Sequence, residues 1–106
     1  MCGRFVRHSS PETFAERFGA HGKLDLAPSY NVAPSQPVLV ARNTEGEGRE
    51  LALLHWGLIP SWAKAPKTIY RTINARAETV ATKPTFRNAF RRRRCLIAAD
   101  GFYEFI

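Results

Sequence analysis

The apolar and polar positions of this 106-residue chain divide it into short elements. Cys2-Gly3-Arg4-Phe5-Val6-Arg7 reads as an extended opening segment. Ser10-Pro11-Glu12 then supplies an N-cap, a proline at the first helical position and an acid in the first turn. Phe14 and Phe18 fall on one face of that helix, and Gly19 is placed to end it. Residues 19–29 read as a loop. Tyr30-Asn31-Val32-Ala33-Pro34 is expected to be extended, because a residue preceding proline is biased away from the helical region. Two β-rich runs, 37–42 and 49–56, predict a hairpin joined by a long loop over Asn43-Thr44-Glu45-Gly46-Glu47-Gly48. Gly57-Leu58-Ile59-Pro60-Ser61-Trp62 ends that unit. A loop with Lys64, Pro66 and Lys67 leads to Ile73-Asn74-Ala75-Arg76-Ala77-Glu78-Thr79. Pro84 and Thr85 are expected to open a second helix with Phe86, Ala89 and Phe90 on one face. Leu96-Ile97-Ala98-Ala99 and the run 102–106 predict two short strands around Asp100-Gly101, a two-residue hairpin signal. The last run is apolar without a polar tail, which leads us to expect the front half of a longer domain.

Length allows at most one domain. Apolar residues make up 44% and aromatic residues 11%, a globular composition. Two cysteines, Cys2 and Cys95, are no disulfide framework, and a reducing, cytoplasmic setting fits them best. No apolar run approaches the ~20 residues that span a bilayer, so no membrane partner is expected. The net charge of +7 is unevenly spread: from Leu51 to Arg94 there are ten Lys or Arg and one acid, Glu78. That basic half makes a polyanion a reasonable partner. A soluble protein with a solvated basic face is the plain alternative.

Position 2 carries the most distinctive chemistry. Initiator Met is ordinarily removed when the next residue is small, and Cys qualifies. The new N-terminus would hold an α-amine and a thiol on adjacent carbons, with reference pKa values of about 7.7–8.0 and 8.5. Such a 1,2-aminothiol condenses with an aldehyde to an imine. Its thiolate then closes a five-membered thiazolidine ring, with the high effective molarity of an intramolecular reaction.

Four segments stand together: Met1-Cys2-Gly3-Arg4-Phe5, Tyr30-Asn31-Val32-Ala33-Pro34, Ile73-Asn74-Ala75-Arg76-Ala77-Glu78-Thr79 and Ala99-Asp100-Gly101-Phe102-Tyr103-Glu104. In this order and spacing they resemble the SOS response-associated peptidase (SRAP) family, also described as abasic-site processing proteins. Residues 56–63 and Arg93-Arg94-Cys95-Leu96-Ile97 fit the same family. The resemblance covers essentially the whole chain but only the first half of a full domain, so residues 1–106 are expected to form a partial SRAP domain. It implies an α+β fold with a mixed, mainly antiparallel, barrel-like sheet and short flanking helices. It also implies that Cys2 becomes linked through a thiazolidine to the ring-opened aldehyde of an abasic site in single-stranded DNA. Such a crosslink shields the lesion as part of the DNA-damage response. The same site would release Met1, which is the source of the peptidase label. Residue by residue, Cys2 matches the nucleophile, Asn74 a positioning group and Glu104 the acid–base carboxyl. Arg4 and Arg76 match positions that hold DNA phosphates, Asn31 a further DNA-binding position, and Pro34 and Trp62 positions that wedge or stack against unstacked bases. No cofactor and no metal are implied, and the protein is expected at the nucleoid when engaged on DNA. The family's catalytic His lies in the second half, and none of His8, His21 and His55 stands at a family position. Position 105 is Phe where the family commonly has Trp.

The residues alone leave plainer alternatives open. Glu104 on an aromatic-rich strand could be raised in pKa by burial and act as an acid, or be an ordinary surface carboxylate. Asn74 can donate and accept but also suits a turn. Arg76 offers a fork of donors to phosphate, or pairs with Glu78. Trp62 stacks on bases or packs in the core. Arg91 to Arg94 could contact DNA directly, or be cations favoured by the helix macrodipole and facing solvent. Cys95 reads as a small core residue. His8, His21 and His55 have no ligand-like partners, and His55 reads as structural. Two rival functions remain beside the crosslinking enzyme: a Cys-dependent peptidase acting on peptides, and a non-catalytic basic binder of single strands.

Overall fold

Val38-Leu39-Val40-Ala41 is an unbroken apolar run, the pattern of a strand covered on both faces. A computed structural model describes residues 2–60, 62 and 72–104. The loop expected around Lys64 to Lys67 and the end of the last run at Phe105 and Ile106 lie outside the described residues. In the structure that apolar run is the middle of β4 (Pro37–Thr44), which pairs antiparallel with β5 (Gly48–His55) from Pro37↔His55 to Thr44↔Gly48. Successive side chains of a strand point to opposite faces, and here each face has its own cover. Leu39, Ala41 and Leu51 pack with Phe14 and Ala98 on one side. Val38 and Val40 pack with Phe5 and Val32 on the other, where Ala52, Leu54 and Trp56 close in.

The first cover is α1 (Pro11–Phe18). Ser10 caps it, its hydroxyl accepting the Thr13 N–H at 3.2 Å, and Gly19 ends it in the left-handed region at φ 61°. Phe14 and Phe18 stack at 5.8 Å on the inward face, as their spacing predicts. The second cover is a three-stranded antiparallel sheet in the order β3 (Ser29–Val32), β1 (Phe5–Arg7), β7 (Gly101–Phe102). The larger sheet has the order β2 (Ala20–His21), β5, β4, β6 (Leu96–Ile97). Among the described residues, only β2 against β5 is parallel. The architecture is α+β with curled, mainly antiparallel, mixed sheets and short helices.

Four local expectations are corrected. The β4–β5 ladder runs further than the sequence suggested, leaving a three-residue turn, Glu45-Gly46-Glu47. Gly46 and Gly48, both at φ 78°, let polar residues that looked like a loop continue the strands. The segment after Gly19 contains β2, whose parallel pairing with β5 is a tertiary contact that no local signal carries. The second helix starts at Arg87, not at Pro84: residues 76–86 form successive turns, and α2 (Arg87–Arg92) follows Phe86 without a side-chain cap. Asp100-Gly101 makes no hairpin. Leu96-Ile97 pairs with β4, whereas Gly101-Phe102 crosses to β1 in the other sheet. The Asp100 carboxylate, which a turn would have used locally, instead binds the His8 and Ser9 amides and the Ser9 hydroxyl.

Leu39 is 0% exposed at the centre of this arrangement. Leu39→Ala should therefore cost about 2–5 kcal/mol, read as a lower denaturant midpoint at an unchanged slope.

A candidate site built around Cys2

The chain around Cys2 is held by backbone and side-chain contacts from three directions. Trp56 packs against Phe5 at 5.4 Å, and its indole N–H donates to the Ile73 carbonyl at 3.0 Å. The Leu58 N–H donates to the Thr72 carbonyl at 3.3 Å. These two bonds pin the end of β5 to residues 72–73 and so deliver Asn74 to the N-terminus. The Asn74 amide Nδ2 donates to the Cys2 carbonyl at 2.8 Å, across 72 positions of sequence. Cys2 is half-buried, and its thiol lies 3.7 Å from the Arg4 carbonyl, where it can donate a weak hydrogen bond.

Arg4 is exposed, and its guanidinium donates to the Asn31 side-chain oxygen at 3.1 Å, joining β3 to the opening segment. Asn31, a DNA-binding position by the family resemblance, is here the side chain that accepts from Arg4. Pro34 is half-buried in a turn closed by Gln36, whose side chain accepts the Ala33 N–H at 2.9 Å. Ser35 there has φ 74°, and its N–H donates to the Trp56 carbonyl at 3.1 Å. A side chain in that region costs about 1–3 kcal/mol, so the bond to Trp56 holds a strained turn.

Glu104 lies at the end of the segment that pairs with β1: the Tyr103 N–H donates to the Arg4 carbonyl at 3.1 Å, and the Tyr103 hydroxyl to the Tyr30 carbonyl at 2.7 Å. Continuing that pairing by count sets Glu104 opposite Gly3. Glu104 is exposed, so the burial expected to tune it as an acid is not found among the described residues. Trp62 is 60% exposed among the described residues. Arg76 is exposed, and no ion pair joins it to Glu78. Neither Trp62 nor Arg76 is brought into contact with Cys2 by the described residues.

Beside Cys2 opens an apolar groove of about 570 Å³, lined by Phe5, Val38, Val40, Leu54, Trp56 and Phe102, with Asn74 and Arg93 at its polar margin. Cys95 also lines it and is exposed, not core as its apolar neighbours suggested. The reason is that Leu96 and Ile97 are themselves about half exposed on the neighbouring strand, which is uncovered among the described residues. Partial burial of the Cys95 thiol still pushes its pKa up, with Arg42 opposing the shift. Further along, Arg87 and Arg91 of α2 and Arg94 just beyond it line a second depression together with Ala81, Asn88 and Phe90. Arg94 folds back over Phe90, 3.7 Å above the ring, while its Nε donates to the Phe90 carbonyl.

Two polar groups escaped the sequence reading. Asp100 is one, because Asp-Gly reads first as a turn. Arg7 is the other: it is buried, with one guanidinium bond to the Ala27 carbonyl at 3.3 Å and an Nε that has no partner. Burial lowers its pKa and nearby Asp100 partly restores it. Its alternation with Phe5 on β1 was the available signal. Among the described residues, no group of three or more His, Cys, Asp or Glu is placed to hold a metal, and no helix is long and apolar enough to cross a membrane.

If Asn74 holds the N-terminal strand, Asn74→Ala should release residues 2–4 while costing the fold only about 0.5–1.5 kcal/mol. Backbone NMR order parameters should drop there from about 0.85 towards 0.6. Unchanged order would assign the grip elsewhere.

Comparison with known proteins places this geometry. The chain is 48% identical over 107 residues to the abasic site processing protein YoaM of Bacillus subtilis, and 49% identical over the same length to YoqW of that organism. Each match covers 98% of this chain and 47% of the relative. It is 39% identical to the abasic site processing protein HMCES of Xenopus tropicalis, covering 98% of this chain and 38% of that protein. A crystal structure of a Bordetella bronchiseptica protein superposes with a TM-score of 0.75 at 30% identity, over 97% of this chain and 50% of its own length. The chain thus spans about half the length of the Bacillus and Bordetella proteins and 38% of the Xenopus one. With the SOS response associated peptidase profile matching residues 1–105 as well, the chain belongs to the SRAP family.

Proposed function

We propose that this chain supplies the N-terminal half of an abasic-site processing domain, in which Cys2 forms a covalent thiazolidine with an abasic site in single-stranded DNA. The observation that carries this reading is the Asn74 hydrogen bond to the Cys2 carbonyl. It grips the residue through its backbone and leaves the chemistry to the amine and the thiol. With Met1 removed, the amine adds to the ring-opened aldehyde of the lesion and expels water to give an imine. The thiolate then adds to the imine carbon, the nitrogen takes up a proton, and the ring closes with no change of oxidation state. Glu104 moves the proton that opens the closed sugar. Arg4, oriented by Asn31, and Arg76 hold phosphates, while Pro34 and Trp62 meet unstacked bases. Removal of Met1 by the same site is the peptidase half of the proposal.

The groove beside Cys2 supports the second part of the reading. Its apolar lining and the half-exposed β6 edge are surfaces that a longer domain would cover, and the relatives are about twice as long. We therefore place the activity in the completed domain, with the remaining half packed into this groove.

The test mixes Met-free chain with a single-stranded oligonucleotide bearing one abasic site. It is run with and without the C-terminal part of YoaM that lies beyond the aligned stretch. The expected outcome is a band resistant to heat and denaturant that is lost in Cys2→Ala and in protein retaining Met1. Glu104→Gln should slow its formation about 10²–10⁴-fold at little cost in DNA affinity. Binding without a covalent band would favour the single-strand binder. Peptide cleavage without DNA attachment would favour the peptidase.

Salt supplies an independent check. Two phosphate contacts predict a slope of about −1.4 in log K against log salt, and Arg76→Ala should reduce it by about 0.7. A salt-independent encounter would remove the basic half from the reading.

A further inference from the structure

Strand β7 has no buried side chain to set its register. Beyond it, the Tyr103 hydroxyl bond to the Tyr30 carbonyl is made by a half-exposed side chain. The strand is two residues long, Gly101 has no side chain, and Phe102 and the following Tyr103 are 65% and 52% exposed. Register is ordinarily fixed by which side chains are buried, and a slip of one residue turns every side chain to the opposite face. Yet β7 is aligned, with Phe102 opposite Phe5 and Gly101 opposite Val6. The alignment matters for the site, because by the same count a slip would move Glu104 off the position opposite Gly3.

The restraint lies just upstream. One oxygen of Asp100 accepts the His8 N–H at 2.7 Å and the Ser9 N–H at 3.0 Å, and the other accepts the Ser9 hydroxyl at 2.6 Å. The Asp100 N–H in turn donates to the Val6 carbonyl at 2.8 Å, and the His8 ring lies 3.7 Å from the carboxylate. Ala98, 0% exposed, fixes the chain two residues earlier through its N–H to the Leu39 carbonyl. Bonds from N–H and O–H groups to a carboxylate are charge-assisted and roughly twice as strong as neutral ones. They also hold the Asp100 carboxyl below the usual carboxylate range, the Ser9 hydroxyl contributing most, so the group is ionised at neutral pH.

We propose that Asp100 is a positioning residue for the Cys2 site: its carboxylate locks β7 onto β1 in the register that sets Glu104 opposite Gly3, beside Cys2. The proposal rests on the roles given above to Cys2 and Glu104. Asparagine at this position can still accept the two backbone N–H groups through its oxygen, and its amide can donate to the Ser9 hydroxyl. Alanine can do neither. The two substitutions therefore separate the clamp from the mere presence of a residue.

The first measurement needs no DNA: amide hydrogen exchange of the 106-residue chain, followed by NMR. In Asp100→Ala the protection of the Tyr103 N–H should fall by at least about tenfold, while the β4–β5 amides keep theirs. In Asp100→Asn it should stay within about threefold of the unsubstituted chain. The second measurement is the adduct with an abasic single-stranded oligonucleotide, under whichever condition gives one with the unsubstituted chain. Asp100→Ala should lower the rate at saturating DNA and leave the Kd for DNA unchanged, and Asp100→Asn should restore most of the rate. Unchanged Tyr103 protection in Asp100→Ala overturns the proposal. So does a parallel loss in the β4–β5 amides, which would make Asp100 a support of the whole fold, or an equal rate loss in both variants. Absence of any adduct with the unsubstituted chain counts against the proposed function alone, and the exchange measurement then decides the register by itself.

Discussion

Everything in this molecule depends on one strand being buried twice. β4 sends Leu39 and Ala41 to the helix side and Val38 and Val40 to the small-sheet side, so a four-residue stretch is the shared floor of both cores. A half-covered strand would need only one layer. A doubly covered one requires a layer on each side, and the rest of the topology follows. α1 closes one face, and β1 and β3 close the other. The chain between β6 and β7 must then pass from the first sheet to the second. That passage sets Asp100 against His8 and Ser9 at the far end of β1. β7 then runs back along β1, so that Glu104 comes to the end from which Cys2 projects.

The site is therefore assembled from parts that are far apart in sequence and that the fold brings together at the β1 end. Trp56 is its keystone: it packs on Phe5, receives the Ser35 N–H on its carbonyl and fixes Ile73 through its indole. Asn74 follows directly from that last bond. Through it, the second core is linked to the opening segment, which ties the geometry at Cys2 to the packing of the interior.

Much of this was legible in the sequence, and the parts that were not share a cause. The capped helix from Pro11 to Phe18, the strands around Val40 and Leu51, and the extended segments at Phe5 and Asn31 carry local signals: a cap, a period, a proline. The four segments and their order singled out Cys2, Asn74 and Glu104, and of these the structure joins Asn74 to the Cys2 carbonyl. What escaped was non-local. Parallel pairing of Ala20 with Arg49 leaves no mark on either residue. Asp100-Gly101 has the composition of a tight turn, and nothing nearby shows that its carboxylate serves Ser9 instead. Cys95 reads as interior because its neighbours are apolar, but burial depends on what covers a strand, and β6 is uncovered among the described residues.

The Asn74 bond to the Cys2 carbonyl has one more consequence. A carbonyl is the same group on every residue, so this contact is a socket blind to the side chain it seats. The scaffold would hold serine or alanine at position 2 as it holds cysteine. The scaffold thus fixes the backbone of residue 2 firmly and touches its thiol only through a weak contact to the Arg4 carbonyl.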